Sequence, residues 1–106
     1  MNIFNKGTLV DFYTEHPKCK KALESWYHDV AEKNWKRPSD VVKDFNKART
    51  LKNDRVIFEI NGNDYRLIAE VNYPKGWVFI KFVGTHAEYD KVDAETVNLY
   101  KKKNKK

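Results

Sequence analysis

The sequence predicts an α+β fold, with N-terminal helices packed on one face of a small antiparallel β-sheet. Three observations carry this. Apolar residues recur at helical spacing as far as Phe45 and alternate from Arg55 onward. Two turn sequences, Asn61-Gly62-Asn63-Asp64 and Pro74-Lys75-Gly76, divide the alternating stretch into three strands. The chain has 106 residues, 41% of them hydrophobic, which suits one domain with a modest core.

Met1–Asn5 is a candidate edge strand. Thr8, with Asp11 three residues on, resembles a helix N-cap, and Leu9, Phe12 and Tyr13 follow at helical spacing. Pro17 ends that helix and suits the first position of the next. Leu23, Trp26, Tyr27 and Val30 form an amphipathic stripe that Pro38 stops. Ser39 can cap a short third helix using Val42 and Phe45. Arg55–Ile60, Tyr65–Tyr73 and Trp77–Thr85 are rich in β-branched and aromatic residues and read as strands. Ala87–Leu99 has room for a short closing helix. Residues 1–100 are expected to form the domain, and 101–106 a lysine-rich, disordered tail.

Strand side chains alternate with period two, so turn length decides which residues share a face. Ile60 opposite Tyr65, and a two-residue turn at Lys75-Gly76, would place Val56, Phe58, Ile60, Tyr65, Leu67, Ala69, Val71, Val78, Ile80 and Phe82 toward the helices. The other face then collects Arg55, Glu59, Arg66, Glu70, Asn72, Lys81 and Thr85, with Ile57, Ile68, Phe79 and Val83 between them. Arg55, Glu70 and Lys81 would form one cross-strand row, and Glu59, Arg66 and Thr85 another. Such a face is either a solvated surface laced with weak ion pairs or a phosphate site built on rigid strands. A slip of one residue in the second turn would move Lys81 to the opposite face.

The net charge of +6 is unevenly distributed. Residues 1–54 carry 11 basic and 8 acidic side chains, and residues 55–100 carry 5 and 7. Five lysines fall in 101–106. The total therefore supports an anionic partner only weakly; the tail is either a solvated end or an arm attracted to phosphates. No apolar run reaches the roughly 20 residues of a membrane span, and the N-terminus lacks the apolar stretch of a signal peptide. A lone cysteine, Cys19, excludes an internal disulfide. A cytoplasmic protein without a membrane partner is expected.

Thr85-His86-Ala87-Glu88-Tyr89-Asp90 follows the third strand. One helical turn would place His86 and Tyr89 on the same side. Both can hydrogen-bond or transfer protons, although such a pair is more often structural. Asp90 can orient one of them or cap the next turn. His16, His28 and His86 are scattered, there is no Gly-rich phosphate loop, and a metal site is improbable. Lysines 18, 20 and 21 flank Cys19 and favour its thiolate, but no partner base is evident, so it reads as incidental.

The stretch Arg55-Val-Ile-Phe-Glu-Ile-Asn-Gly-Asn-Asp-Tyr-Arg66-Leu-Ile-Ala, followed by Trp77-Val-Phe-Ile-Lys81-Phe-Val-Gly-Thr85-His86-Ala-Glu-Tyr89-Asp90, resembles the HigB branch of the RelE-like toxins. The resemblance covers nearly the whole chain and is strongest over 55–93; the lysine tail lies outside it. It implies a small toxin that cleaves mRNA, typically on the translating ribosome, without metal or other cofactor. It also implies a cognate antitoxin, usually a helix-turn-helix DNA-binding protein of the HigA type.

The resemblance places Arg66 and Lys81 where related toxins hold phosphate, and Tyr89 near a position that carries a functional aromatic. His86 belongs to the Thr-His-x-x-Tyr-Asp signature. Arg66, Lys81, His86 and Tyr89 are thus the candidate catalytic residues, and Arg55, Glu70, Asn72, Thr85 and Asp90 the candidate substrate-binding residues. In RNA cleavage by the 2′-hydroxyl, His86 is the expected proton-transfer group. Tyr89 would orient the hydroxyl, stack on a base or assist proton transfer. Glu70 is either a base or a positioner of Lys81 and Arg55. Competing readings are a ribosome-independent ribonuclease, a non-catalytic RNA- or protein-binding module, and a structural domain with an ion-paired sheet face.

Overall fold

In the computed structural model, residues 1–99 are described; the lysine run expected as a tail lies outside them. The order is β1 (Asn2–Phe4), α1 (Lys6–Glu15), a 3-10 turn (Pro17–Cys19), α2 (Lys20–Ala31), α3 (Pro38–Asp44), β2 (Arg49–Leu51), β3 (Arg55–Ile60), β4 (Tyr65–Asn72), β5 (Trp77–Thr85) and α4 (His86–Tyr89). The strands form a five-stranded sheet ordered β1-β5-β4-β3-β2. The α+β class is as expected. The sheet is mixed rather than antiparallel, because β1 runs parallel to β5. No helix among the described residues is long and apolar enough to cross a membrane.

Helix boundaries differ from expectation where backbone geometry overrides the capping residue. Asn5, at φ 73°, precedes α1, so Thr8 lies inside the helix and is buried. The helix ends before Pro17, which opens the 3-10 turn leading into α2. Leu23, Trp26 and Val30 of α2 are buried as their spacing requires. That helix ends at Ala31, well before Pro38. Pro38 instead starts α3, where its missing N–H costs nothing, and Arg37 rather than Ser39 is the N-cap. Val41 turns inward and Val42 outward.

The helices cover one sheet face. Leu9, Leu23, Trp26, Val30, Trp35 and Val41 pack with Val56, Phe58, Ile60, Leu67, Ala69, Val71, Val78 and Ile80 in one buried cluster. Fully burying such side chains contributes about 1.5–3 kcal/mol each. The β3–β4 register is the expected one, from Ile60 opposite Tyr65 to Arg55 opposite Glu70.

The β4–β5 register is not. The turn spans Tyr73–Gly76, so Asn72 pairs with Trp77 and Glu70 with Phe79. This shift of two residues keeps every side chain on its expected face. Then the ladder slips: Ala69 pairs with Ile80 but Ile68 with Phe82, and Lys81 bulges between them. The extra residue reverses the alternation beyond it. Phe82, expected in the main core, joins Ile57 and Ile68 in a second cluster on the opposite face. Val83 moves the other way, into the main core. Tyr89, Val92, Ala94, Val97 and Leu99 cover the second cluster. In the stretch expected to hold a closing helix, α4 covers His86–Tyr89, and turns follow it over 90–96.

Candidate functional site

The sheet face turned away from the helices carries the candidate residues, and the bulge redistributes them. The expected rows become Arg55–Glu70–Phe79 and Glu59–Arg66–Gly84. Arg66 and Lys81 lie on this face but are separated along the strands by about 10 Å at the usual rise per residue. They form two neighbouring cationic positions rather than one compact clamp.

Of these two, Arg66 is the better held. It sits mid-sheet on β4, and its guanidinium donates to the carbonyl oxygens of Asn63, at 3.2 Å, and Tyr65, at 3.3 Å. It also donates to Asn63 Oδ1. Asn63 belongs to the β3–β4 turn, so the turn that sets the register also aims the side chain. The guanidinium lies 5.7 Å from the centroid of the Tyr89 ring. Tyr89 in turn packs beside the Ile57–Ile68–Phe82 cluster, which holds its ring in place.

His86 stands next to this pair. Its ring is 6.4 Å from that of Tyr89, and Nδ1 is 3.4 Å from Asp90 Oδ2. One turn of α4 therefore does what the spacing predicted. Arg66, Tyr89, His86 and Asp90 form a continuous series of neighbours. His86 and Asp90 are exposed, whereas Arg66 and Tyr89 are half-buried.

Thr85 joins β5 to α4. The bulge pairs it with Tyr65, and its hydroxyl caps α4 by accepting from the Glu88 N–H at 3.2 Å. Glu88 Oε1 accepts from the Thr85 N–H at 2.8 Å, completing a capping box. Thr85 thus sets the start of the helix that carries His86 and Tyr89. Glu88 went unnoticed in the sequence, although Thr-x-x-Glu is the recognisable signal for such a cap.

Arg55 and Glu70 are paired, with Nε 3.4 Å from Oε1. Arg55 is 6% exposed, and its Nη1 donates to the carbonyls of Ala94 and Val97. It therefore faces the C-terminal segment instead of solvent. Asn72 accepts from the Lys75 N–H at 3.2 Å and closes the β4–β5 turn. Lys81 Nζ lies 5.5 Å from the Phe79 ring centroid.

Cys19 has no access to chemistry. It is fully buried, and burial pushes its thiol pKa up, outweighing the backbone hydrogen bond that favours the thiolate. No group of three or more His, Cys, Asp or Glu suited to a metal ion occurs among the described residues.

Comparison with known proteins agrees with this architecture. The chain is 29% identical over 94 residues to a protein named mRNA interferase HigB from Escherichia coli O6:H1, covering 87% of this chain and 91% of that one. It is 26% identical over 92 residues to the mRNA interferase toxin HigB of Escherichia coli K12, covering 85% and 88%. A Shigella flexneri mRNA interferase HigB matches over the same lengths and at the same identity. The model of the HigB toxin family, described as the RelE-like toxic component of a toxin–antitoxin system, matches residues 19–92. The match takes in most of the helical half and the whole Arg66–Tyr89–His86–Asp90 series, and the chain belongs to the HigB toxin family.

Proposed function

We propose that this protein is the toxin of a toxin–antitoxin pair and an endoribonuclease that cleaves mRNA on the translating ribosome. It would act in the cytoplasm and be neutralised by a helix-turn-helix antitoxin. The mRNA interferase names of its relatives support the reaction class. The observation that carries the site is Arg66 stacked over Tyr89, with His86 and Asp90 beside them.

The reaction needs no metal ion. The RNA 2′-hydroxyl loses its proton and its oxygen attacks the adjacent phosphorus. The bond to the 5′-oxygen breaks and that oxygen takes up a proton. The products are a 2′,3′-cyclic phosphate and a 5′-hydroxyl. Arg66 and Lys81 stabilise the charge that accumulates on the phosphoryl oxygens. His86 transfers a proton, with Asp90 fixing its Nδ1 side. Tyr89 orients the hydroxyl or stacks on a base. Glu70, engaged by Arg55, positions its neighbours. The ribosome contributes by presenting mRNA in a reactive geometry, where orientation is worth several kcal/mol.

Cleavage of a reporter mRNA in a purified translation system tests this. Arg66→Ala and His86→Ala, each confirmed as folded by circular dichroism, should lower cleavage by about 100-fold or more. Full cleavage by both variants would overturn the assignment. Wild-type cleavage of naked RNA at matched salt, at the rate seen with ribosomes, would remove the ribosome from it.

A further inference from the structure

Three aromatic rings stand together at the β1–β5 edge of the sheet, on the face turned away from the helices. Phe4 and Phe79 are adjacent across the parallel pairing and stack nearly parallel, with centroids 5.0 Å apart and 20° between planes. Trp77 meets both edge-on, at 5.7 Å from Phe4 and 6.0 Å from Phe79. Phe4 is 39% exposed, and the other two are half-buried. The C-terminal segment covers the Ile57–Ile68–Phe82 end of this face, yet none of these three rings belongs to that covered cluster. Core packing therefore does not account for them.

Two lysines rim the rings. Lys75 Nζ lies 4.8 Å from the Trp77 centroid, and Lys81 Nζ lies 5.5 Å from that of Phe79. Each ammonium rests on a flexible stem and can swing to a nearby phosphate while the ring stays in place. The nearest carboxylate on the row, Glu70, is engaged by Arg55. The surface thus combines stacking area with uncompensated positive charge, the combination by which single strands of nucleic acid are held. It is also continuous with the candidate site. Phe79 and Gly84, the strand partner of Arg66, are five residues apart on β5, about 15 Å, and Lys81 lies between them.

We infer that Phe4, Trp77 and Phe79, with Lys75 at their rim, form a stacking platform for bases of the RNA strand a few nucleotides from the phosphate that Arg66 and Lys81 hold. This rests on the ribonuclease reading above. Every base offers a π-face and the rings offer no hydrogen-bonding edge beyond the indole N–H. The platform should therefore add affinity with little sequence preference. It would hold the strand in line while Arg66 and His86 act on the phosphate.

A hexauridylate carrying 2′-O-methyl on every ribose is the probe, since it cannot supply the attacking hydroxyl. Trp26 and Trp35 are buried at 4% and 2% exposure, so quenching of tryptophan fluorescence by the probe reports Trp77. The full chain should show saturable quenching. Phe4→Leu and Phe79→Leu, both folded by circular dichroism, should weaken binding by about 5- to 100-fold at constant salt. Lys75→Gln should make the salt dependence of binding shallower by about one phosphate contact. Absence of saturable quenching up to millimolar probe, or unchanged affinity in both leucine variants, would overturn the inference. So would loss of antitoxin binding with RNA affinity intact, which would assign the surface to a protein. mRNA cleavage by the wild type alongside unchanged affinities would leave the ribonuclease reading standing without the platform. Platform-dependent binding without wild-type cleavage would do the reverse.

Discussion

Arg55 Nη1 donates at 2.7 Å to the carbonyl oxygen of Val97, a residue 42 positions further along the chain. The same nitrogen donates to Ala94, and Nε faces Glu70. A buried cation thus fastens the segment after α4 to the sheet. That segment completes the cover over Ile57, Ile68 and Phe82, against which Tyr89 also packs. Arg55 is thus linked to Tyr89 through this segment and the cluster it covers.

Removing the Arg55 side chain should loosen that segment before it unfolds the protein. Arg55→Ala forfeits two charge-assisted hydrogen bonds and should lower stability by about 2–4 kcal/mol. Hydrogen exchange by mass spectrometry should show faster exchange over 92–97, with β3 and β4 still protected. Arg55→Lys should restore only part of the protection, because an ammonium lacks the planar fork. Undiminished protection over 92–97 in Arg55→Ala would show that apolar contacts alone hold the segment.

Gly84 is required by space. A Cβ built there would lie 2.6 Å from Phe82 Cζ and 2.8 Å from Glu88 Oε1. Phe82 is 4% exposed within its cluster, and the Glu88 carboxylate belongs to the cap of α4. Relief therefore disturbs either the packing or the cap. Gly84→Ala should destabilise the fold by about 1–3 kcal/mol in chemical denaturation. It should also reduce mRNA cleavage, because α4 carries His86 and Tyr89.

Tyr73 supplies a pH dependence. Burial, then the nearby Asp54 and Asp40 carboxylates, push its phenol pKa from 10.0 to about 12. A group whose folded pKa is raised contributes its full stability below the unfolded value. Between pH 10 and about 12 the unfolded chain ionises first, and stability falls. The loss is on the order of 2–3 kcal/mol. Urea denaturation between pH 9 and roughly 12 should show a steeper alkaline decline in wild type than in Tyr73→Phe, with the two curves separating above pH 10.

Cys19 should be silent in the native state. It is fully buried with a raised thiol pKa, so iodoacetamide at neutral pH should modify it only as fast as the protein opens. Denaturant should release rapid alkylation. Fast labelling of native protein would mean that the 3-10 turn opens locally.

Much of the architecture was already legible in the sequence. Helical spacing at Leu23, Trp26 and Val30 and alternation from Arg55 placed the layers. The turn residues at Asn61–Asp64 placed Arg66 and Glu70 on the face opposite the helices. Local spacing alone put His86 beside Tyr89, since one helical turn decides it. These features depend on periodicity and short-range geometry, which a sequence states directly.

Only the folded chain decided what happens beyond Ile80. One extra residue at Lys81 exchanges the faces of Phe82 and Val83 and brings Gly84, instead of Thr85, opposite Arg66. Gly84 in a strand was the available sign of a bulge, but its position depends on contacts from distant parts of the chain. Phe82 can turn outward because residues 89–99 cover it, and Thr85 is thereby left to cap α4. The partner of Arg55 and the parallel pairing of β1 are decided in the same way. Side-chain alternation is a local rule, whereas a bulge is settled by whichever face offers each side chain burial.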